Sequence, residues 1–373
     1  MHALRIHAGP IARRQIERDG LPAQAVRIIP AAAGGPKGLI LGPLDRFILG
    51  EWLAGSTHRV DLVGASIGAW RMATACLSDI VPALQRLEHD YIHQHYEVPP
   101  GRKRPSARQV SDAFSAGLDS FYRGRIAEVL QHPHWRLHVL ASRGLGLLHR
   151  EHPLATPLGY LGAFVSNAVH RGALGGWLER VVFSVPEGGV DAARTSEGPK
   201  PPPTPLPFGR RDYPTRQVAL TEANFRPAVQ ASCSIPFVLR AVYDIPGAPR
   251  GAYWDGGITD YHLHLDYQPG EGGVVLYPHF QQAVVPGWLD KALKWRHAAT
   301  PFLDRMVLLA PNPEWVATLP NGKLPDRTDF TRYGNDLASR VRVWTQAAAA
   351  SQQLADEFAQ WLQRPDPAQV QPL

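Results

Sequence analysis

Cysteine is scarce in this chain: 373 residues contain two, Cys76 and Cys233. Two cannot make a disulfide framework. Without a Cys-x-x-Cys pair, a thiolate zinc site has no ligands to start from. No run of about 18 apolar residues occurs, so no segment is expected to span a membrane. The first residues, MHALRIHAGPIARRQIERDG, lack the apolar core and cleavage site of a secretory signal. A reducing cytoplasm is therefore the expected setting. No Lys/Arg-rich run with interleaved aromatics appears, so nucleic-acid binding gains no support. Neither G-x-x-x-x-G-K-[ST] nor G-x-G-x-x-G is present, which removes the common nucleotide cradles. The 16 histidines are scattered. Their one close group, His89, His93 and His95, has no H-E-x-x-H beside it, and neither a metal nor any other cofactor is expected.

Hydrophobic residues make up 44% of the chain and charged residues 19%, enough apolar material for a large core. Lys and Arg outnumber Asp and Glu by 39 to 33, a mild excess of +6. Such a charge suits an anionic membrane surface, and equally suits plain solubility.

Residues 25–80 twice repeat strand, tight glycine turn, helix. The strands are AVRIIPAAA at 25–33 and VDLVG at 60–64. The helices are LILGPLDRFILGEWL, which Pro43 either kinks or starts, and AWRMATACL. This repetition predicts a parallel sheet with helices on its faces. Residues 81–130 read as helical with a polar break at PPGRKRPSAR. Further strands are expected at 135–142, 180–186, 215–220, 252–257, 272–278 and 305–311. The apolar, glycine-rich stretch 152–178 reads as a helical hairpin or lid, and as a candidate wall for an acyl chain. The Pro-rich stretch 187–212 reads as an extended insertion, and about 330–363 as a C-terminal helical segment. One elaborated α/β domain over residues 1–373 is expected, rather than two.

Gly64-Ala65-Ser66-Ile67-Gly68 fits G-x-S-x-G. A nucleophilic serine of this kind sits on a sharp strand-to-helix turn, and glycines at Gly64 and Gly68 relieve its crowding. The helix N-terminus behind Ser66 favours negative charge on its oxygen. An ordinary β-to-α turn of small residues would carry the same letters; the strand before it and the helix after it favour the nucleophile. A tetrahedral intermediate also needs backbone N–H donors. Gly34 and Gly35, after the first strand, are the best candidates, with Ile67 a further one. Pro36 has no N–H to give. Lys37 either holds this loop through a carbonyl or carboxylate or is a solvated surface lysine. Asp255, at a strand end before Gly256 and Gly257, is the candidate base, although Asp-Gly is also a common β-turn pair.

Four blocks resemble the patatin-like family: AAGGPKG at 32–38, GASIG at 64–68, ASCSIPF at 231–237 and DGG at 255–257. They occur in the family's order and span about three-fifths of the chain. The resemblance implies a three-layer α/β/α fold around a mostly parallel sheet. It also implies a Ser–Asp dyad without histidine acting on acyl esters of phospholipids and other lipids. By position, Ser66 is then the nucleophile, Asp255 its base, and Gly34, Gly35 and Gly38 line the oxyanion hole. Alanine at position 33 and Pro36 depart from the family pattern.

Two other readings stay open. Chain order Ser…Asp…His would suit a conventional α/β-hydrolase triad using His262, His264 or His279. A catalytically inactive lipid-binding protein would keep Ser66 and Asp255 as structural turns. The stretch 285–298, VPGWLDKALKWRHA, sets Trp288 and Trp295 among Lys291, Lys294 and Arg296. It reads either as an interfacial helix making peripheral membrane contact or as a surface helix packing its tryptophans on the core.

Overall fold

The computed structural model describes residues 1–98, 105–186 and 205–373. Residues 187–204 of the Pro-rich stretch and 99–104 of the polar break lie outside the described residues. Eleven strands among the described residues join one mixed sheet. They are β1 (Leu4–Ala8), β2 (Val26–Ala31), β3 (Val60–Ala65), β4 (Trp135–Gly144), β5 (Leu178–Ser184), β6 (Thr215–Ala219), β7 (Val242–Tyr243), β8 (Ala252–Asp255), β9 (Val274–Pro278), β10 (Met306–Pro311) and β11 (Val370–Pro372). The order is β11-β1-β10-β9-β2-β3-β4-β5-β6, and β8 pairs with both β4 and β7. The run β10-β9-β2-β3-β4 is parallel throughout. Its strands are apolar runs buried end to end, as in β9 and β10, which is what a parallel sheet covered on both faces requires. Helices flank the sheet, an arrangement compatible with three α/β/α layers. The largest core cluster draws on residues from Ala3 to Val370.

Three strands had no clear sequence signal: β1, the two-residue β7 and β11. β1 pairs antiparallel with β10 and parallel with the three-residue β11, so both ends of the chain close one side of the sheet. The C-terminal helical segment is three helices, Thr328–Tyr333, Leu337–Ala350 and Gln352–Gln363. The first ends at Gly334, whose φ of +53° stops it. Pro43 falls in the first turn of the helix Gly42–Phe47, where its missing N–H costs nothing. The stretch 285–298 is not an α-helix. It forms two 3-10 turns, Trp288–Asp290 and Lys294–Arg296. Buried Asp290, which ends the first turn, takes hydrogen bonds from Asn167, Arg171 and Arg296, and this bends the segment onto its neighbour. Trp288 packs against the core, whereas Trp295 is 70% exposed.

The register of β4 does the most to build a site. Over Trp135–Leu140 one of its edges pairs with β3, parallel; from Ala141 the same edge pairs with β8, antiparallel. β3 and β8 thus run head to head. Ala65 lies opposite Leu140 and Asp255 opposite Ala141, adjacent residues of one strand. Positions 66 and 255, 189 residues apart in sequence, are brought together by backbone pairing alone.

Candidate active site

Ser66 leaves β3 with φ 56° and ψ −130°, then the helix Ile67–Ala75 begins. A serine at positive φ stores of order 1–3 kcal/mol of strain, which persists only where the surroundings enforce it. The enforcement is steric and polar. A Cβ at Gly64 would strike the Ala69 backbone, and one at Gly68 would overlap the carbonyl oxygen of Ala31 at the end of β2. The Ser66 N–H donates to Ser232 Oγ at 2.9 Å, and that hydroxyl donates to the Leu140 carbonyl at 2.6 Å. Ser232 therefore ties the turn to β4.

Ser66 Oγ donates to Asp255 Oδ2 at 2.7 Å. The other carboxylate oxygen accepts the Gly257 N–H at 2.7 Å. The Asp255 backbone is fixed as well: its N–H donates to the Ser234 carbonyl at 2.9 Å and its carbonyl accepts from Ser142 Oγ at 2.9 Å. Both dyad members are about 95% buried. Burial raises the Asp255 pKa from 3.8 to about 6, against the opposing hydrogen bond from Ser66, the positive charge of Arg327 and the Gly257 N–H. The carboxylate is still ionised at neutral pH, and it is more basic than an exposed aspartate, as a general base should be.

The glycine loop comes alongside from β2, where Ala31 faces Gly64. Ala33 donates its N–H to the Tyr261 carbonyl at 3.0 Å, which joins this loop to the chain just after Asp255. Gly35 has φ +57° and opens a 3-10 helix, Gly35–Leu41. The N–H groups of Gly34, Gly35 and Ile67 precede or begin helical turns and donate to no acceptor among the described residues. These three amides are the candidate donors for an oxyanion. Gly38 lies inside the 3-10 helix, so its N–H serves that turn; its open α-carbon gives room to the Ile67 side chain, 3.5 Å from where a Cβ would stand. Pro36 at the start of the turn costs no donor the loop could use. Beneath the loop, Arg71 of the nucleophile helix grips Asp45 through two bonds of 2.6 and 2.7 Å. Lys37 pairs with an aromatic face, its Nζ lying 5.1 Å from the centre of the Phe280 ring.

Three further groups line this site without having been singled out in the sequence. Ser232 and Cys233 fall in the block 231–237. Burial, reinforced by the Asp255 charge, pushes the Cys233 thiol well above its usual range, so it offers no competing thiolate. Arg327 stands with Nε 3.3 Å from the site of a Gly35 Cβ. It comes from a polar loop 72 residues beyond Asp255, and no local pattern marks it.

The three histidines engage elsewhere. His262 Nδ1 lies 3.0 Å from the Ala283 carbonyl. His264 lies between the Val284 carbonyl and Thr300 Oγ1, at 2.9 and 2.8 Å. His279 packs against Phe280 with ring centres 4.4 Å apart. Among the described residues, none hydrogen-bonds to Ser66 or Asp255. His89 and His93 stack on one helix face with ring centres 4.1 Å apart.

A hydroxyl bonded to a desolvated carboxylate, beside unpaired amide donors, is equipped for nucleophilic attack on a carbonyl carbon. No known family model matches this chain, and no curated protein matches it in sequence.

Proposed function

We propose that this chain is a serine acyl hydrolase of the patatin-like kind, cleaving carboxyl esters of lipids through a Ser66–Asp255 dyad. The observation that carries the proposal is the 2.7 Å bond from Ser66 Oγ to Asp255 Oδ2 on a strained strand-to-helix turn. The four short sequence blocks support the family likeness, and the layered sheet is compatible with it.

Asp255 takes the Ser66 proton as Oγ attacks the acyl carbonyl. The amides of Gly34, Gly35 and Ile67 receive the developing oxyanion, each such donor being worth roughly 3 kcal/mol of barrier. Asp255 then returns the proton to the departing alkoxide, leaving an acyl group on Ser66. A water, deprotonated by Asp255, attacks this ester, and Ser66 leaves with the proton. The carboxylate is base, acid and base again, and no cofactor enters. A cytoplasmic enzyme that meets its lipid at the membrane periphery belongs to the same proposal. Among the described residues no helix is long and apolar enough to cross a membrane.

The test is a panel of p-nitrophenyl esters of increasing chain length together with phospholipids, run on wild type and Ser66→Ala. Hydrolysis by wild type and its loss in the variant are expected. Equal rates from both would remove Ser66 from the chemistry.

A further inference from the structure

The helix Ala155–Val169 is amphipathic in the wrong sense for a surface helix. Around one aromatic, Tyr160, its inward face holds small and polar residues: Gly159 on Leu148, buried Ala163, and Asn167 bonded to Asp290 at 2.7 Å. Its outward face holds the large apolar ones. Leu154, Leu158, Leu161 and Val165 recur at helical spacing and are 72%, 60%, 59% and 54% exposed. No charged residue occurs within the helix. Left in water, such a face forgoes the burial that normally holds an amphipathic helix in place.

The inner side of the same helix, rather than this face, comes near the candidate active site, close enough for the Asp255 charge to add to the burial that raises the Tyr160 pKa. Tyr160 meets Phe237 edge-on at 5.8 Å and Trp254 at 6.0 Å. Trp254 directly precedes Asp255. Phe237 is 61% exposed and held at φ +67°, a costly conformation for a bulky residue. It lies on the loop that begins with Ser232 and Ser234, the two residues that clamp Ser66 and Asp255. Exposed cations stand near both ends of the helix. Arg150 precedes it; Lys294 lies at its C-terminal end, where the neighbouring Arg296 donates to the Ala168 carbonyl. At the first end, exposed Glu151 and Asp244 line one cleft with Arg150 and Arg250, and at the other the buried Asp290 is paired with Arg171 and Arg296.

We infer that the outward face of Ala155–Val169, with Phe237 beside it, seats the protein on an anionic lipid bilayer and lets an acyl ester reach Ser66 without crossing water. The choice of lipid over protein rests on the acyl-hydrolase reading. The apolar face suits acyl chains, the cations at its ends suit anionic head groups, and the chain's +6 charge adds attraction at longer range.

The experiment compares wild type with the double variant Leu158→Ser/Leu161→Ser; both side chains turn outward, so they wall no enclosed acyl site as the stretch 152–178 had suggested, and both are outside the dyad. Flotation with phosphatidylcholine vesicles, with and without phosphatidylglycerol, measures binding; p-nitrophenyl butyrate measures the dyad. Wild type should bind the phosphatidylglycerol-containing vesicles. The variant should bind at least about tenfold more weakly while cleaving the soluble ester at the wild-type rate. Equal vesicle binding by both proteins, or none by wild type, would overturn the inference. So would a wild-type oligomer that the variant dissociates, since the face would then be a protein interface. Vesicle binding by a protein that never cleaves the soluble ester would keep the docking face and sink the hydrolase.

Discussion

Asp255 is the residue at which catalysis and stability pull in opposite directions, and replacing it with asparagine separates the two. In the folded chain its pKa stands at about 6 against 3.8 for an unperturbed aspartate. A carboxyl raised in this way binds its proton more tightly folded than unfolded. Its stabilising contribution is therefore complete below pH 3.8 and lost as pH rises through about 6. About two pH units at 1.36 kcal/mol each make the ionised Asp255 a burden of about 3 kcal/mol at neutral pH. Asparagine has the same shape, can accept the Gly257 N–H through its oxygen and never ionises. Asp255→Asn should thus be more stable than wild type at pH 7.5, by up to about 3 kcal/mol in denaturant unfolding. The advantage should shrink towards zero near pH 4. The same variant should lose roughly a thousandfold or more in kcat/KM, because no base remains for Ser66. A variant equal to or less stable than wild type at pH 7.5, or an advantage that does not change with pH, would refute the argument from burial.

Further outcomes follow from the same contacts. The kcat/KM of wild type should fall with unit slope below about pH 6, and Arg327→Ala should move that midpoint upward, because the arginine charge holds the Asp255 pKa down; a pH–rate profile of each decides. Ser232→Ala removes the hydroxyl between the Ser66 N–H and the Leu140 carbonyl. It should cost about 1–3 kcal/mol in unfolding free energy, with a fall in kcat as the turn loosens. Gly68→Ala, forced against the Ala31 carbonyl, should appear as a loss of folded protein in thermal melts rather than as a pure catalytic defect. His264→Asn should keep kcat/KM within a few-fold of wild type; a large loss in a folded variant would restore the histidine triad.

The sequence carried the local parts of this site better than its assembly. Strand β3, its turn and the helix after it are contiguous, so the G-x-S-x-G letters are legible together, although only Gly64 is crowded locally, by the Ala69 backbone, while Gly68 is crowded by the Ala31 carbonyl of β2. The glycine loop at 34–38 is likewise contiguous, but the side chains packed against it, Phe280, Arg327 and Ile67, come from elsewhere in the chain. What brings Asp255 to Ser66 is the switch of partners along β4, from β3 to β8 between Leu140 and Ala141. No spacing within a strand encodes which neighbour it takes, and so the short β8 read only as a strand ending in a turn. β1, β7 and β11 escaped notice for a related reason: each is short and is held by partners outside its own stretch of sequence, β1 by β10 and β11, β7 by β8, and β11 by β1. The mix of tryptophans and basic residues at 285–298 suggested a helix, but Asp290 gathers three donors and tertiary hydrogen bonding overrides the pattern. Arg327 could not be found at all, since a lone arginine in a polar loop looks like any other. The apolar stretch 152–178 was visible as composition. Which of its faces turns outward was not, because that depends on Gly159 and Ala163 fitting against neighbours elsewhere in the chain.

The account stands most directly on the reactivity of one hydroxyl. Treating wild type, Ser66→Ala and Asp255→Asn with a serine-directed fluorophosphonate, then locating the adduct by peptide mass spectrometry, measures it. The geometry predicts a single adduct on Ser66 in wild type, none in Ser66→Ala and much slower labelling in Asp255→Asn. A folded wild-type protein that takes no label, or takes it on another residue, would contradict the dyad.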